Sequence, residues 1–272
     1  MILRGVKMLK ANYHTHTKRC GHAFGEDEEY VLEALGQGMV ELGFSDHIML
    51  PGFSQPSIRG EYSLWAQDYF KSINYLKEKY KDRMKIYLGY EAESFQLYFP
   101  YYRELLSTKT VDYLILGNHC RMNESKEIVE FFGKTSDKES MYKYRDLAIS
   151  ALKTGLFSYF AHPDYFMSSI EVVDKDVRQV CEQIIDACIE NDVVLEINTA
   201  GIRNGLKKIG NTYRYIYPND DFFEIAGKKG AKCIIGLDAH APSQISNEEA
   251  NIKAIRFAKK HGLNLVDTLK LD

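Results

Sequence analysis

Seven short apolar runs alternate with longer segments of helical period, and this alternation restricts the fold more than any other feature of the chain. The runs lie near 11–15 (ANYHT), 42–46 (LGFSD), 85–91 (KIYLGYE), 111–117 (VDYLILG), 157–161 (FSYFA), 193–198 (VVLEIN) and 232–237 (KCIIGL). Helical segments are expected near 26–38, 62–81, 139–154, 174–191, 220–229 and 246–262, several opening on Ser, Asp or Asn and closing near Gly. Parallel strands need a long crossover between them, and a helix after each strand supplies one, so the pattern reads as α/β with βα repeats. A chain of 272 residues, 45% of them hydrophobic, can bury one large core or two small ones. No Pro-rich or Ser-rich linker divides it, so one domain over 1–272 is expected. Three stretches, 48–61, 120–138 and 199–219, read as long irregular loops, the kind that often carries function.

Composition excludes several classes. The net charge of −3 is spread without a long basic run, which speaks against extended nucleic acid binding and against a membrane surface. No apolar stretch reaches the ~18 residues of a membrane span, and MILRGVKMLKANYH has neither the apolar run nor the cleavage site of a signal peptide. Five cysteines without a CxxC, namely Cys20, Cys120, Cys181, Cys188 and Cys233, fit reduced thiols, and the protein is expected in the cytoplasm.

The histidines are placed unevenly. His14, His16 and His22 fall within YHTHTKRCGH; His47, His119, His162 and His240 each stand at or just past the end of an expected strand. Glu91 ends KIYLGYE, and Asp238 follows CIIGL. Only His261, of eight histidines, falls at a helix end. A lone histidine at a strand end is more often a hydrogen-bonded structural residue than a ligand. Here seven of them and two carboxylates would meet at the C-terminal mouth of a parallel barrel, where barrel enzymes build their sites. Alternate residues of a strand face one side, so His14 and His16 can chelate one ion together.

These residues resemble the polymerase and histidinol phosphatase (PHP) family: HTH at 14–16, His22, SDH ending at His47, GYE at Glu91, GNH at His119, AHPD at His162 and GLDAH with Asp238 and His240. The resemblance covers the whole chain and implies a distorted TIM-like (β/α)7 barrel holding a trinuclear metal cluster. It implies His14, His16, Glu91 and Asp238 on a first ion, Glu91 as a bridge with His119 and His162 on a second, and His22, His47 and His240 on a third. The donor types favour Zn, Fe or Mn over Ca or Mg without choosing among the three. Ions of this kind lower the pKa of bound water from 15.7 to about 7, which would provide a nucleophile for a phosphate monoester.

The expected function is therefore a metal-dependent phosphomonoesterase, with Glu91, Asp238 and Arg203 as catalytic residues and a small phosphate ester as its partner. Arg203, in NTAGIRNG, is expected to grip phosphate with its guanidinium fork. The segments ENDVVLEINTAGIR and GLDAHAP resemble the histidinol-phosphatase branch, which acts in histidine biosynthesis. LGNHCRM and AHPDYF depart from that branch and leave another small phosphate ester or a nucleotide open. Asp164 is expected to cap a turn or to meet a substrate amine. Asp46 is expected to point away from the cluster by strand alternation and to support it structurally, with a leaving-group acid as the alternative. Cys20 and Cys120 are expected to be spectators, and Lys207, Lys208 and Arg214 to be a solvated loop or a positive rim. YRYIYP is expected to pack or to wall a pocket. An amidohydrolase barrel also begins with HxH, but it finishes on one Asp and not on DAH. A nuclease would want a basic stripe that is missing here, and a structural metal scaffold would want a closed site.

Overall fold

The structure, a computed structural model, describes residues 9–271; the expected absence of a leader falls largely on residues outside that range. Its centre is one sheet of eight strands in the order β1 to β8: Ala11–Asn12, Glu41–His47, Lys85–Ala92, Tyr113–Leu116, Tyr159–Phe160, Val194–Asn198, Lys232–Gly236 and Asn264–Leu265. Every neighbouring pair is parallel. Each of the seven expected strands is present, and β8 is an addition. The ring closes between β1 and β7, but only beyond the ends of both strands. Thr15 bridges Ala239 there, with His16 N donating to Ala239 O at 2.9 Å and Ala239 N to His14 O at 3.1 Å. Nearer the start of the strands, β8 pairs with β7 through Lys232 and Asn264. The fold is thus a distorted TIM-like (β/α)7 barrel, sealed at its C-terminal mouth, where the histidines sit.

Helices α1 to α9 span Asp27–Gly36, Tyr62–Tyr80, Phe99–Ser107, Lys138–Leu152, Lys175–Glu190, Thr199–Arg203, Asp220–Lys229, Pro242–Ile245 and Glu248–Lys260. Side-chain caps set several of the starts. Asp174 accepts from Asp176 N and Val177 N at 3.0 Å each, and Asn219 accepts from Asp221 N at 2.9 Å. The expected irregular stretches are more ordered than their sequence suggests. One holds an antiparallel hairpin, Cys120–Met122 with Ile128–Phe131; another holds α6 and a second hairpin, Lys207–Ile209 with Thr212–Arg214. Strands of three or four residues are too short to show an alternation. Among the described residues no helix is long and apolar enough to cross a membrane.

The barrel interior is filled by rings. Tyr13, Tyr113 and Tyr159 pack there with Ile115, Val194 and Ile234, closed at the far end by Leu269. Tyr113 donates to Tyr13 O at 2.7 Å and lies 3.1 Å from Phe44 O. Space for its ring comes from two mid-strand glycines. A Cβ on Gly43 would overlap the Tyr113 hydroxyl, and one on Gly89 would overlap the ring carbons.

Gly43→Ala and Gly89→Ala should each lower stability by roughly 1–3 kcal/mol, the usual cost of overpacking, measured by denaturant unfolding. Tyr113→Phe should relieve part of the first loss and little of the second, because only Gly43 faces the hydroxyl. Equal coupling in the two double-mutant cycles would contradict this packing.

Candidate metal centre

Each candidate ligand is delivered by the end of a strand. The continuation of β1 points His14 and His16 to the same side. A short helical turn, Lys18–Cys20, then ends on Gly21 in the left-handed region (φ 83°), and the chain folds back to present His22. His47 ends β2 and Glu91 lies on β3; His119, His162, Asp238 and His240 follow β4, β5 and β7. Asn118, His162 and Asp238 have φ of 50°, 31° and 46°. Positive φ is costly for residues with a Cβ, and strain of this kind is held where a site needs a fixed direction.

All nine residues meet in one cluster. Glu91 Oε1 lies 3.1 Å from His162 Nε2, 3.3 Å from His119 Nε2 and 3.5 Å from His14 Nε2. Its Oε2 lies 3.0 Å from His47 Nδ1 and 3.5 Å from His16 Nε2. Asp238 Oδ1 is 3.3 Å from His16 Nε2, 3.4 Å from His240 Nδ1 and 3.6 Å from His14 Nε2. Three Nε2 pairs face each other: His14 with His16 at 3.1 Å, His119 with His162 at 3.2 Å, and His22 with His240 at 3.1 Å.

These residues fit divalent ions. Bonds of about 2.0–2.2 Å to an ion place its ligands roughly 3.0–3.5 Å apart, which is the spacing found here. His47 Nδ1 is buried, lies 3.0 Å from Glu91 Oε2 and makes no hydrogen bond, an unpartnered nitrogen turned toward the cluster. The groups whose donor atoms lie within 4.8 Å of one another include His14 with His16 and Asp238, His14 with Glu91 and His162, His16 with His47 and Glu91, and His22 with His47 and His240.

Charge follows the same arrangement. Burial works to raise the Glu91 pKa, but His119, His14 and His47 together hold it well below the usual carboxylate range. Asp238 is likewise held down, against burial, by His14, His16 and His240. Burial, helped by His16, pushes His47 well down and His240 to about 3, so both rings are neutral donors at pH 7. His14 moves upward despite burial, because Glu196, Asp238 and Glu91 surround it.

The sequence did not single out the acids behind the ligands. Glu196, fully buried on β6, accepts from His14 Nδ1 at 2.8 Å and from His162 N at 2.8 Å. Because the carboxylate only accepts, His14 carries a proton on Nδ1 and turns Nε2 into the cluster, where a bound ion would replace the second proton. Asn198 Nδ2 donates to Glu196 at 2.8 Å and to Asp238 Oδ2 at 3.1 Å, which ties the ends of β6 and β7 together. A Cβ on Gly236 would overlap the Glu196 carboxylate, so that position must be glycine for the acid to reach His14. Glu93 does the same for His119, accepting from Nδ1 at 2.9 Å and from the backbone N at 2.7 Å, and it is held by buried Arg59 at 3.1 Å. A carboxylate inside VVLEIN, and a second one two residues after Glu91, were the available signals.

Other expected residues find clear places. Asp46 is buried, accepts from Thr17 Oγ1 and His47 N, and lies 3.5 Å from His16 Nδ1, so it orients ligands from behind. Asp164 makes no cap bond to its own turn and does not face the pocket; it accepts from Asn219 N at 2.5 Å, and burial raises its pKa to about 7. Both expectations for Asp164 are thus corrected: the backbone reaches it from a distant segment. Cys20 lies near His16 and His240, but burial pushes its thiol upward, away from thiolate; Cys120 is buried and shifted the same way. Lys207 and Lys208 are exposed on the hairpin, and Arg214 is a structural clamp, donating to Met167 O at 2.7 Å and Ile170 O at 2.9 Å.

The cluster floors a pocket of about 680 Å³, with Arg203 on its wall. A free guanidinium fork is not what Arg203 presents. Nη1 donates to Thr199 Oγ1 and Leu237 O, both at 2.7 Å, and Nη2 to Asp238 O at 2.9 Å and Gln244 Oε1 at 3.2 Å. The chain after β7 arches back toward α6, and its carbonyls occupy the fork.

The family described as PHP domain matches residues 12–200, more than half of the chain. The chain belongs to the PHP domain family. Asp238 and His240 lie beyond the matched residues, yet the fold brings them into the same PHP site. A Deinococcus radiodurans protein named "Probable histidinol-phosphatase" is 27% identical over 89% of this chain and 91% of its own length. A Lactococcus lactis protein named "Histidinol-phosphatase" is 24% identical over 71% and 72%. The solved Lactococcus lactis histidinol phosphate phosphatase, complexed with zinc, L-histidinol and phosphate, superposes with a TM-score of 0.67 at 20% identity, over 97% of this chain and all of that one. The likeness to the solved structure is one of fold.

Glu196→Gln keeps the size of the side chain but removes the charge that fixes His14, and it should weaken metal binding about 10- to 100-fold. Competition with a chromophoric chelator measures this, and unchanged affinity would contradict the role given to Glu196.

Proposed function

We propose that this PHP chain is a single-domain, metal-dependent phosphomonoesterase that hydrolyses L-histidinol phosphate to L-histidinol and phosphate, the step it would perform in histidine biosynthesis. The observation that carries this reading is the position of Glu91, whose two oxygens each face imidazoles on opposite sides, as a carboxylate shared between ions would. The relatives' names support the substrate, and the donor set supports Zn, Fe or Mn. The five cysteines are free and buried, which supports a place in the reducing cytoplasm.

We assign His14, His16, Glu91 and Asp238 to a first ion, Glu91, His119 and His162 to a second, and His22, His47 and His240 to a third. Ions bound there would supply an acidified water and positive charge for the phosphoryl oxygens. The chain supplies their placement. Glu196 and Glu93 hold protons on His14 Nδ1 and His119 Nδ1, so that both Nε2 atoms stay lone-pair donors. Asp46 orients His16 and the His47 backbone from behind. Arg203 ties Leu237 O and Asp238 O to α6, which fixes the segment that carries Asp238 and His240, and its charge on the pocket wall favours a dianionic group. Gln244 completes this brace by accepting from His240 N at 2.7 Å.

The reading fails if purified protein loaded with Zn, Mn or Fe releases no phosphate from histidinol phosphate. Stripping metal with a chelator should abolish release and re-addition should restore it, while His14→Ala and Glu91→Ala should stay inactive at any metal concentration. Arg203→Ala should lower kcat/KM and also loosen metal held by His240; intact metal content with a selective rise in KM would return the arginine to a direct phosphate contact.

A further inference from the structure

Beyond its candidate ligands and Arg203, the pocket wall carries rings and uncharged groups. Its rings are Phe131, Tyr165 and Tyr217, and its polar groups there are uncharged, Ser57, Asn204 and Asn247 among them. Among the described residues the carboxylates on the wall are Glu91 and Asp238, both taken up by imidazoles. Glu93 and Glu196 lie behind the wall and are held by His119 with Arg59, and by His14 with Asn198. The remaining fixed charge on the wall is the guanidinium of Arg203. Among the described residues an ammonium group on a bound ester therefore finds no free anionic partner in this pocket and one side-chain cation that repels it.

The rings, in contrast, stand beside the reacting end. Tyr165 and Tyr217 both pack on His162, with centroids 5.4 Å and 5.5 Å away, and Tyr165 also packs on His119 at 5.6 Å. Their own centroids are 6.0 Å apart at 51°, so the two faces form an open angle next to the metal ligands. Tyr217 is buried and Tyr165 half-buried, and both line the pocket. A flat ring carried a few bonds from the phosphoryl group meets these faces in offset or edge-on geometry.

We propose that Tyr165 and Tyr217 are the specificity-determining residues of this site, and that it selects monoesters whose alcohol carries a flat aromatic or heteroaromatic ring while making no charge contact with an amine. The selection rests on the phosphomonoesterase reading above. For histidinol phosphate it assigns recognition to the imidazole and leaves the ammonium in solvent.

Three esters separate the two groups: histidinol phosphate, 3-(imidazol-4-yl)propyl phosphate, which lacks the amine, and 2-aminopropyl phosphate, which lacks the ring. With the metal-loaded full chain, the first two should agree in kcat/KM within about threefold, and the third should fall by about tenfold or more, the scale of ring contacts to two aromatic faces. Tyr165→Ala should lower kcat/KM for both ring esters by roughly threefold to tenfold, and Tyr165→Phe, which keeps the face, should restore it. A readout without turnover is the NMR line broadening of 3-(imidazol-4-yl)propanol on adding protein, expected with the native chain and Tyr165→Phe and lost with Tyr165→Ala. A large loss on removing the amine alone, or equal rates for 2-aminopropyl phosphate, would overturn the selection while leaving the phosphatase intact. Failure to hydrolyse any ester, p-nitrophenyl phosphate included, would overturn the phosphatase reading and the selection with it.

Discussion

A carboxylate buried among five imidazoles is the constraint from which the rest of this structure follows. Glu91 is almost fully buried, and an isolated buried charge would cost far more than the fold could sustain. It is tolerable because His14, His16, His47, His119 and His162 converge on its two oxygens within 3.0–3.5 Å. Those imidazoles come from four different strand ends and meet a carboxylate carried by a fifth strand. Only a ring of parallel strands brings such ends to one mouth, so the barrel and the site are two statements of one geometry.

The ring is held open from inside by aromatic packing and closed at the top by the site itself. Tyr113 fills the space left by Gly43 and Gly89, while the β1–β7 seam is stitched by backbone bonds around His14, Thr15, His16 and Ala239 and by Leu237 N donating to Asn12 Oδ1 at 2.8 Å. Behind the ligands, Glu196 and Asn198 couple three strand ends, and Glu93 with Arg59 couples the long loop after β2 to His119. The ligands are thus supported by buried acids that are themselves satisfied, the arrangement that keeps imidazoles in a single tautomer and orientation.

Much of this was legible in the chain. Most of the histidines stand at or within a few residues past strand ends, and a strand has a period of two, so His14, His16, Glu91 and Asp238 could be placed from the sequence. What could not be read depends on direction across the molecule. Arg203 stands beside the pocket as expected, but the carbonyls that fill its fork belong to residues 34 and 35 positions away, and no local pattern marks them. Asp164 meets a backbone amide 55 positions away for the same reason. Glu196 looked like one polar residue in an apolar strand; only the closeness of β1, β5 and β7 shows what it supports. The two hairpins escaped because strands of three or four residues repeat that period too few times to stand out.

The central claim is that Glu91 is shared between ions in a cluster built from all these strand ends. The most direct measurement is anomalous diffraction from crystals of the native chain loaded with manganese or zinc. The account predicts three peaks in one pocket, two of them roughly 3.5–4 Å apart with a Glu91 oxygen on each. A single isolated ion, or ions held without contact to Glu91, would contradict it.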